Sequence, residues 1–299
     1  MRVSVIIPAY NAKTTIDETL TSLDSQTFRD FEVIVVDDGS SDGTAEYVRQ
    51  RHPGVNVFSQ QNAGPAAARN YGVSQSRGEW LAFLDADDAW LPWRLQLQLE
   101  LANKHPELGM FCGRTTDLVT PIKAPSEMQQ IADDFVQFLS LADFAFSNPV
   151  ATTAVLVRRH IFAACNGFDT SFRGPEDYEL WMRIAGYTKI GKILYPVSRY
   201  RDEVGSLSRN FKTFLPEVLR VLDKAYAPTG ILHGHGSKRR ALAVQYMGAS
   251  WMASQSGKAC AGVSLLLRSY LAWPRPLQIP GKRRHLRTAL LVKALKGLF

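Results

Sequence analysis

Four apolar runs of strand length alternate with segments of helical length in the N-terminal part of the chain, and this alternation limits the fold more than any other feature. The runs are VSVIIP (3–8), FEVIVVD (31–37), VNVFS (55–59) and WLAFLD (80–85), separated by segments of helical length and polarity at 14–26, 43–51 and 65–76. A strand, a helix and a second strand close most simply as a βαβ unit, so the order predicts a largely parallel sheet covered by helices on both faces. In open sheets of this kind ligands bind beyond the carboxyl ends of the strands, where the strand order reverses. The residues just after each run are therefore the ones to read for chemistry.

Those residues are polar and of a consistent kind. Pro8-Ala9-Tyr10-Asn11 closes the first run, and Tyr10 can stack on a nucleobase. The second run opens into DDGSSDGT (37–44), where a carboxylate can accept from a base N–H or a ribose hydroxyl. The same octet also reads as a turn through Gly39 and Gly43 with Ser41 or Asp42 capping the next helix, and both readings hold together if Asp42 caps while Asp38 binds. In QNAGPAAARN (61–70) a Gly-Pro turn starts a helix of small residues, which lets backbone approach a ligand and brings Arg69 within reach of a phosphate.

The fourth run ends in Asp85, Asp87 and Asp88. Clustered carboxylates repel one another, and a hard divalent cation relieves the repulsion because it takes oxygen ligands and is often held by one or two carboxylates plus a substrate's phosphates. The alternative is a solvated turn before a helix, where Asp is favoured by capping and by the helix dipole.

Together VSVIIPAYN, DFEVIVVDDGSSDGT, QNAGPAAARNYG and GEWLAFLDADDAWLP closely resemble the family 2 glycosyltransferases of the GT-A fold, in order and spacing, from the N-terminus to about residue 210. The resemblance implies an α/β fold: a GT-A type, Rossmann-like, mostly parallel sheet flanked by helices, with a C-terminal helical extension. It implies a glycosyltransferase domain over 1–210, with a nucleotide-sugar half (1–105) and an acceptor half (106–210), followed by a basic helical extension over 211–299. Asp85-Ala86-Asp87 looks like the family's DxD motif. Its first Asp contacts the ribose or sugar, and its second holds Mg2+ or Mn2+ on the donor diphosphate, giving Asp87 with Asp85 as the metal pair. Pro8, Tyr10, Asn11 and Asp38 look like the nucleoside pocket, with Asp38 facing the base, and Arg69 looks like a donor-pocket residue. Asp88 is expected as the N-cap of the helix containing Trp93 and Leu97.

Residues 106–160 are less patterned: 109–113 and 152–159 read as strands around an irregular, partly helical segment at ADDFVQFLSLADF. In NGFDTSFRGPEDYELWMRIA (166–185), Pro175 suits a first helical turn and Leu180, Trp181 and Ile184 form an apolar face, so Glu176 and Asp177 stand at a helix N-terminus. Dipole compensation alone accounts for two acids there. The pair also resembles the family's ED motif, which makes Asp177 the general base and Glu176 its partner at the acceptor or in orienting the site. The loop YRDEVGSLSRN (200–210) resembles a segment that closes over the donor, giving Arg201, Glu203 and Ser206 as lid residues. Many members carry a His where this chain has Glu203, which leaves the metal's further ligand open.

Charge sets the tail apart. Of 35 Lys and Arg, 13 fall in residues 224–299, which hold no Asp or Glu. Such asymmetry marks contact with an anionic surface. Three prolines at 274, 276 and 280 mark a linker, and from Leu286 onward leucines mix with Arg287, Lys293 and Lys296 in a basic amphipathic helix of the kind that lies in membrane surfaces. No apolar run approaches the ~20 residues that span a bilayer, MRVSVIIPAYN lacks the features of a signal peptide, and Cys112, Cys165 and Cys260 are scattered without metal-ligand spacing. The expected location is cytoplasmic, peripheral at the inner face of the plasma membrane.

The expected reaction is inverting, non-processive, metal-dependent transfer of a hexosyl or related sugar from a nucleoside-diphosphate donor, UDP by family prior. The acceptor is a hydroxyl of a glycan or lipid-linked molecule in bacterial-type surface polysaccharide or cell-envelope synthesis. A non-catalytic nucleotide-sugar or glycan-binding relative is the alternative. A nucleotidyltransferase fits less well, because PAYNAKTT stands where a glycine-rich triphosphate loop with a Lys belongs. Specific nucleic-acid binding is not expected, since the basic residues lack an interleaved aromatic platform.

Overall fold

A computed structural model of the chain describes residues 2–124, 135–201, 210–277 and 286–296. These fall into two compact units. The first comprises 1–140, 150–171 and 180–202; the second comprises 141–149, 172–179 and 203–299.

The first unit carries the whole sheet. Its elements begin β1 (Val3–Ala9), α1 (Ile16–Asp24), β2 (Phe31–Asp37), α2 (Thr44–Arg51), β3 (Asn56–Ser59), α3 (Pro65–Ser74) and β4 (Trp80–Phe83). The four strands pair in parallel in the order β3-β2-β1-β4, with Val3 in register with both Phe31 and Trp80. Each helix follows from its own residues. Ile16, Leu20 and Leu23 bury one face of α1. Pro65 opens α3 after Gly64, and the small residues that follow let this helix press on the sheet. At Gly72 a Cβ would stand 2.6 Å from the Ile6 side chain.

The rest of the sheet is mixed. It is built from β5 (Ala89–Trp90), β6 (Met110–Asp117), β7 (Val136–Leu139), β8 (Leu156–Arg158) and β9 (Ile190–Tyr200), with α4 (Arg94–Lys104), α5 (Arg159–Ala164) and α6 (Glu176–Tyr187) between them. The strand order continues β4-β8-β6-β9-β5, with β7 also on β9. β8 runs antiparallel to both neighbours, and β6 and β9 run parallel with register shifts beside Gly113 and Arg114. The expected strand over 152–159 is instead a 3-10 turn (Thr152–Ala154), a three-residue strand and the start of α5. VQFL, inside the segment expected to be partly helical, pairs with β9 as β7. These are pairings across the sheet that override local preference.

The second unit contains α7 (Phe211–Ala225), α8 (Lys238–Gln255), α9 (Ala259–Ala272) and α10 (Leu286–Lys296). α8 and α9 form a hairpin about Gly257 (φ 70°), and Ser250 Oγ donates to the Gly262 carbonyl at 2.7 Å. Residues 141–149 are tied into this unit by Tyr226, which donates to Ala145 O at 2.9 Å, and by Gln245, which donates to Phe146 O at 2.8 Å. Among the described residues no helix is long and apolar enough to cross a membrane.

Candidate functional site

The chain moves outward from β1 through β2 to β3, then returns to place β4 on the other side of β1. The reversal leaves a crevice flanked by the ends of β1 and β4, which is where such sheets bind ligands. Tyr10 and Asn11 leave one side of it and Asp85 to Asp88 leave the other.

On the β1 side the loops after β1 and β2 are zipped together. Asn11 takes a positive φ of 50°, its N–H donates to Ser40 Oγ at 2.9 Å, and its Oδ1 accepts from Ser41 N at 2.9 Å. Asp42, one residue before the N-cap Gly43, accepts from Thr44 N at 3.0 Å and from Lys13 N at 3.0 Å, so it ties the first residue of α2 to the β1 loop. Burial works to raise the Asp42 pKa, but the hydrogen bonds from Thr44 and Lys13 outweigh it and hold the carboxyl below its ordinary value. Tyr10 is 57% exposed, an aromatic face open to stacking, and Pro8 lies within β1.

Asp38 is arranged differently from the base-facing residue expected of it. It is buried, and its carboxylate accepts from Gln60 Nε2 at 2.7 Å, Ala63 N at 2.9 Å and Gly64 N at 2.8 Å. It thereby fixes the turn that launches α3. That helix carries Arg69, whose Nη2 donates to Asp85 Oδ1 at 2.7 Å and whose guanidinium lies 5.4 Å from the Phe168 ring.

The acid loop after β4 is held by its backbone. Thr15 and Thr19, on the β1–α1 side, both present hydroxyls to the Ala86 carbonyl, at 2.9 and 3.0 Å. Thr19 Oγ1 also lies 2.8 Å from the Asp88 carbonyl, sharing its one proton between the two. The intervening Asp87 carbonyl accepts from Arg201 Nε at 2.9 Å. Three successive carbonyls are thus taken up by residues behind the loop, and the side chains of Asp85 and Asp87 remain partly exposed. Arg201 also pairs with Glu18 of α1.

Asp88 does not cap a helix: α4 starts at Arg94, with Trp93 at its N-cap, while the Asp88 carboxylate is buried and accepts from Arg201 N at 2.9 Å. Burial pushes its pKa up to about 8; the Asp85 charge adds to this, the Arg201 N–H opposes it, and Asp87 adds again. The Asp88 carboxyl therefore keeps its proton more readily at neutral pH than an exposed Asp does. Behind the loop lies Arg94, fully buried over the Trp90 ring at 3.4 Å and donating to Val155 O at 2.8 Å. Burial works against the Arg94 charge and the Asp88 carboxylate works for it.

Among the described residues no three His, Cys, Asp or Glu side chains converge as a metal cage. The oxygen donors of the acid loop nevertheless suit a hard cation that takes one or two carboxylates from protein and the rest of its shell from phosphates and water.

In the second unit the head of α6 separates its two acids. Glu176 is buried and accepts from Gly174 N at 2.8 Å, tying off the turn before the helix. Asp177 is half-buried, and its Oδ2 accepts from Asn148 Nδ2 at 3.1 Å. Glu179, one residue beyond Tyr178, pairs with Lys224 at 2.8 Å. Only Asp177 combines partial exposure with an orienting partner, the arrangement a general base needs.

Sequence reasoning missed Thr15, Thr19, Glu18 and Asn148. A TT pair or a lone Asn in an unpatterned stretch gives no signal, because what matters is which distant carbonyl or carboxylate it meets. Glu203 and Ser206 lie outside the described residues.

Residues 4–147 match the family model described as Glycosyl transferase family 2. The amylovoran biosynthesis glycosyltransferase AmsB of Erwinia amylovora is 31% identical over 216 residues, 66% of this chain and 68% of that protein. The chain belongs to glycosyltransferase family 2. A second relative is the Escherichia coli protein WfgD, UDP-Glc:alpha-D-GlcNAc-diphosphoundecaprenol beta-1,3-glucosyltransferase, which is 29% identical over 70% of this chain and 80% of its own length. The chain spans 61% of an uncharacterized glycosyltransferase from Haemophilus influenzae and 34% of a longer one from Rickettsia felis. The fold is that of S. aureus TarS 1-349, solved in complex with UDP-GlcNAc, with a TM-score of 0.63 at 19% identity, covering 99% of this chain and 89% of that one. The acid loop and the zipped β1 and β2 loops described above lie within the family-matched segment, and the head of α6 lies beyond it.

Proposed function

We propose that this chain is an inverting, non-processive, metal-dependent glycosyltransferase that moves a hexosyl or related sugar from a nucleoside-diphosphate donor to a hydroxyl of a glycan or lipid-linked acceptor. Its place is bacterial surface polysaccharide or cell-envelope synthesis, as the names of AmsB and WfgD suggest by family analogy. UDP is the first donor to test, given the UDP-sugars named for WfgD and TarS.

The observation that carries the proposal is the acid loop at the strand-order reversal, mounted by three carbonyls so that Asp85 and Asp87 face outward. Asp87, with Asp85, holds Mg2+ or Mn2+, which when bound stabilises the negative charge that builds on the departing nucleoside diphosphate. Arg69 fixes Asp85 in place, and Tyr10 stacks on the base with Pro8 and Asn11 shaping the pocket. Asp38 acts by setting the turn before α3.

Asp177 takes the proton of the acceptor hydroxyl as its oxygen attacks the anomeric carbon opposite the leaving diphosphate. Asn148 presents the carboxylate, and Glu176 holds the helix head in shape. One displacement with one base gives inversion. Arg201 braces the acid loop. The basic C-terminal extension keeps the enzyme at an anionic membrane face, peripheral on the cytoplasmic side.

Isothermal calorimetry with UDP, GDP and dTDP, each with and without manganese, on wild type and Asp87→Ala, tests the donor site. Manganese-dependent binding of one nucleotide, lost in Asp87→Ala, is expected. Folded wild type that binds none of them overturns the donor assignment, and retention of anomeric configuration in a product overturns the single displacement.

A further inference from the structure

The sequence points to α10 as the membrane-seeking element, but three of its leucines are already packed. Leu286, Leu290 and Leu291 pack against a cluster of Ala243, Met247, Leu266 and Leu277. Arg287 is buried, lies 4.2 Å from the Tyr270 ring and donates to the Trp273 carbonyl at 2.6 Å. These three leucines therefore contribute to the core of the helical unit.

α9 carries an exposed apolar face. Gly262, Leu265, Leu266 and Ser269 form its buried side. On the opposite side Ser264, Leu267, Arg268 and Leu271 are exposed, with Leu267 at 53% and Leu271 at 76%. The two leucines are one turn apart, so they stand one above the other on the same face.

Cations lie on this helix and beside its C-terminal end. Arg268 shares the face; Arg239 donates to the Ala272 carbonyl at 3.1 Å, at the end of the helix; and Arg275 lies 6.0 Å from the Trp273 ring. No acid in residues 224–299 offsets them.

We propose that the exposed face of α9, Leu267 and Leu271 with Arg239, Arg268 and Arg275 around them, is the surface by which this chain docks on an anionic lipid bilayer. A soluble polyanion would answer the arginines but leave both leucines in water. A bilayer surface answers both: the leucines enter the boundary between headgroups and acyl chains, and the arginines extend their heads to lipid phosphates. Because burial of the two side chains and attraction of the charges act together, binding should need anionic lipid and should weaken with salt. The inference deepens the membrane part of the proposed function and rests on it.

The test is co-sedimentation of the whole chain with phosphatidylcholine vesicles, with or without one part in three of phosphatidylglycerol, in low and high salt. Wild type is compared with Leu267→Glu/Leu271→Glu, with Val119→Glu as a control at a position 87% exposed in the first unit. Heparin binding and nucleotide binding are measured on the same proteins. Wild type should sediment with anionic vesicles only, the double variant should bind at least about tenfold more weakly, and Val119→Glu should match wild type.

Vesicle binding by the double variant equal to wild type overturns the α9 face and leaves the membrane reading standing. Heparin binding as tight as vesicle binding, with neither dependent on the leucines, assigns the charge to a soluble polyanion and overturns the proposal. Absence of wild-type vesicle binding overturns both the face and the membrane reading. Nucleotide binding reports on the transferase separately in every case.

Discussion

The Arg69 guanidinium donates to Asp85 at 2.7 Å, so the first carboxylate of the acid loop already has a cation before any substrate arrives. Arg69 also lies 5.4 Å from the Phe168 ring, a contact that a delocalised guanidinium makes better than an ammonium. Arg69→Ala should weaken manganese-dependent nucleotide binding about tenfold, the scale of one lost charge-assisted hydrogen bond. Arg69→Lys should recover only part of the loss. Calorimetric affinities equal to wild type in both variants would show that Asp85 needs no such partner.

Thr19→Val removes a hydroxyl that serves two carbonyls of the acid loop while keeping the side-chain shape. Leaving partly buried carbonyls without a donor costs about 1–3 kcal/mol. The loop should also loosen, so affinity for nucleotide with manganese should fall while metal-free nucleotide binding changes little. A variant whose melting temperature drops but whose manganese dependence is untouched would limit Thr19 to a stabilising role.

Asp177→Asn keeps the hydrogen-bonding shape and removes the basicity. Turnover should fall by ~10²–10⁴-fold with donor affinity retained, the range for loss of a general base. Asn148→Ala leaves the base but frees its carboxylate, and should give a smaller loss with an altered pH profile. Full turnover in Asp177→Asn with a purified acceptor would reassign the base.

Glu32 gives a pH dependence that does not involve the site. It is buried on β2 and accepts from Ser4 Oγ and Arg77 N, both at 2.7 Å. Burial acts to raise its pKa, but those hydrogen bonds and the Arg77 charge prevail and hold it below its ordinary value. The folded state therefore binds this proton less readily than the unfolded chain. The resulting stability is present above the ordinary Glu range and is lost as pH falls through it toward the depressed folded value. Denaturation midpoints of Glu32→Gln should lie below wild type at neutral pH and converge with it in acid; parallel curves would exclude the effect.

Arg94 is fully buried, stacked on Trp90 and donating to the Val155 carbonyl at 2.8 Å, and the nearby Asp88 favours its charge. Arg94→Met keeps much of the volume but leaves the buried Val155 carbonyl without its donor, which costs about 1–3 kcal/mol. Urea unfolding should show the loss, and Arg94→Met combined with Asp88→Asn should recover part of it. Simple addition of the two single effects would exclude coupling.

The parallel half of the fold was legible because each strand and helix there announces itself locally: apolar runs at 3–8, 31–37 and 80–85 become β1, β2 and β4 within a few residues. The mixed half was legible only in part, at 109–113, which lies largely on β6, and at the head of α6. VQFL becomes a strand only because β9 lies beside it, and Leu156–Arg158 is short enough that its character comes from its neighbours. The same divide runs through the candidate site. Motif residues such as Asp85, Asp87, Glu176 and Asp177 could be named from the chain. The arrangement of Asp88, Asp38 and Arg201 could not, since burial and a main-chain partner many residues away decide it. Local sequence displays the chemistry of a side chain but not the direction in which the fold points it.

The acid loop is bolted down through carbonyls that every amino acid possesses, at Ala86, Asp87 and Asp88. Its fastening is therefore indifferent to which side chain stands at 87. A combinatorial library randomised at Asp87, with Thr15, Thr19, Arg201 and the Arg69–Asp85 pair kept, should remain mostly well folded. Drift or selection can exchange the fittings on such a bracket without recasting the bracket itself, and one framework can then be tried against many cations and sugar nucleotides.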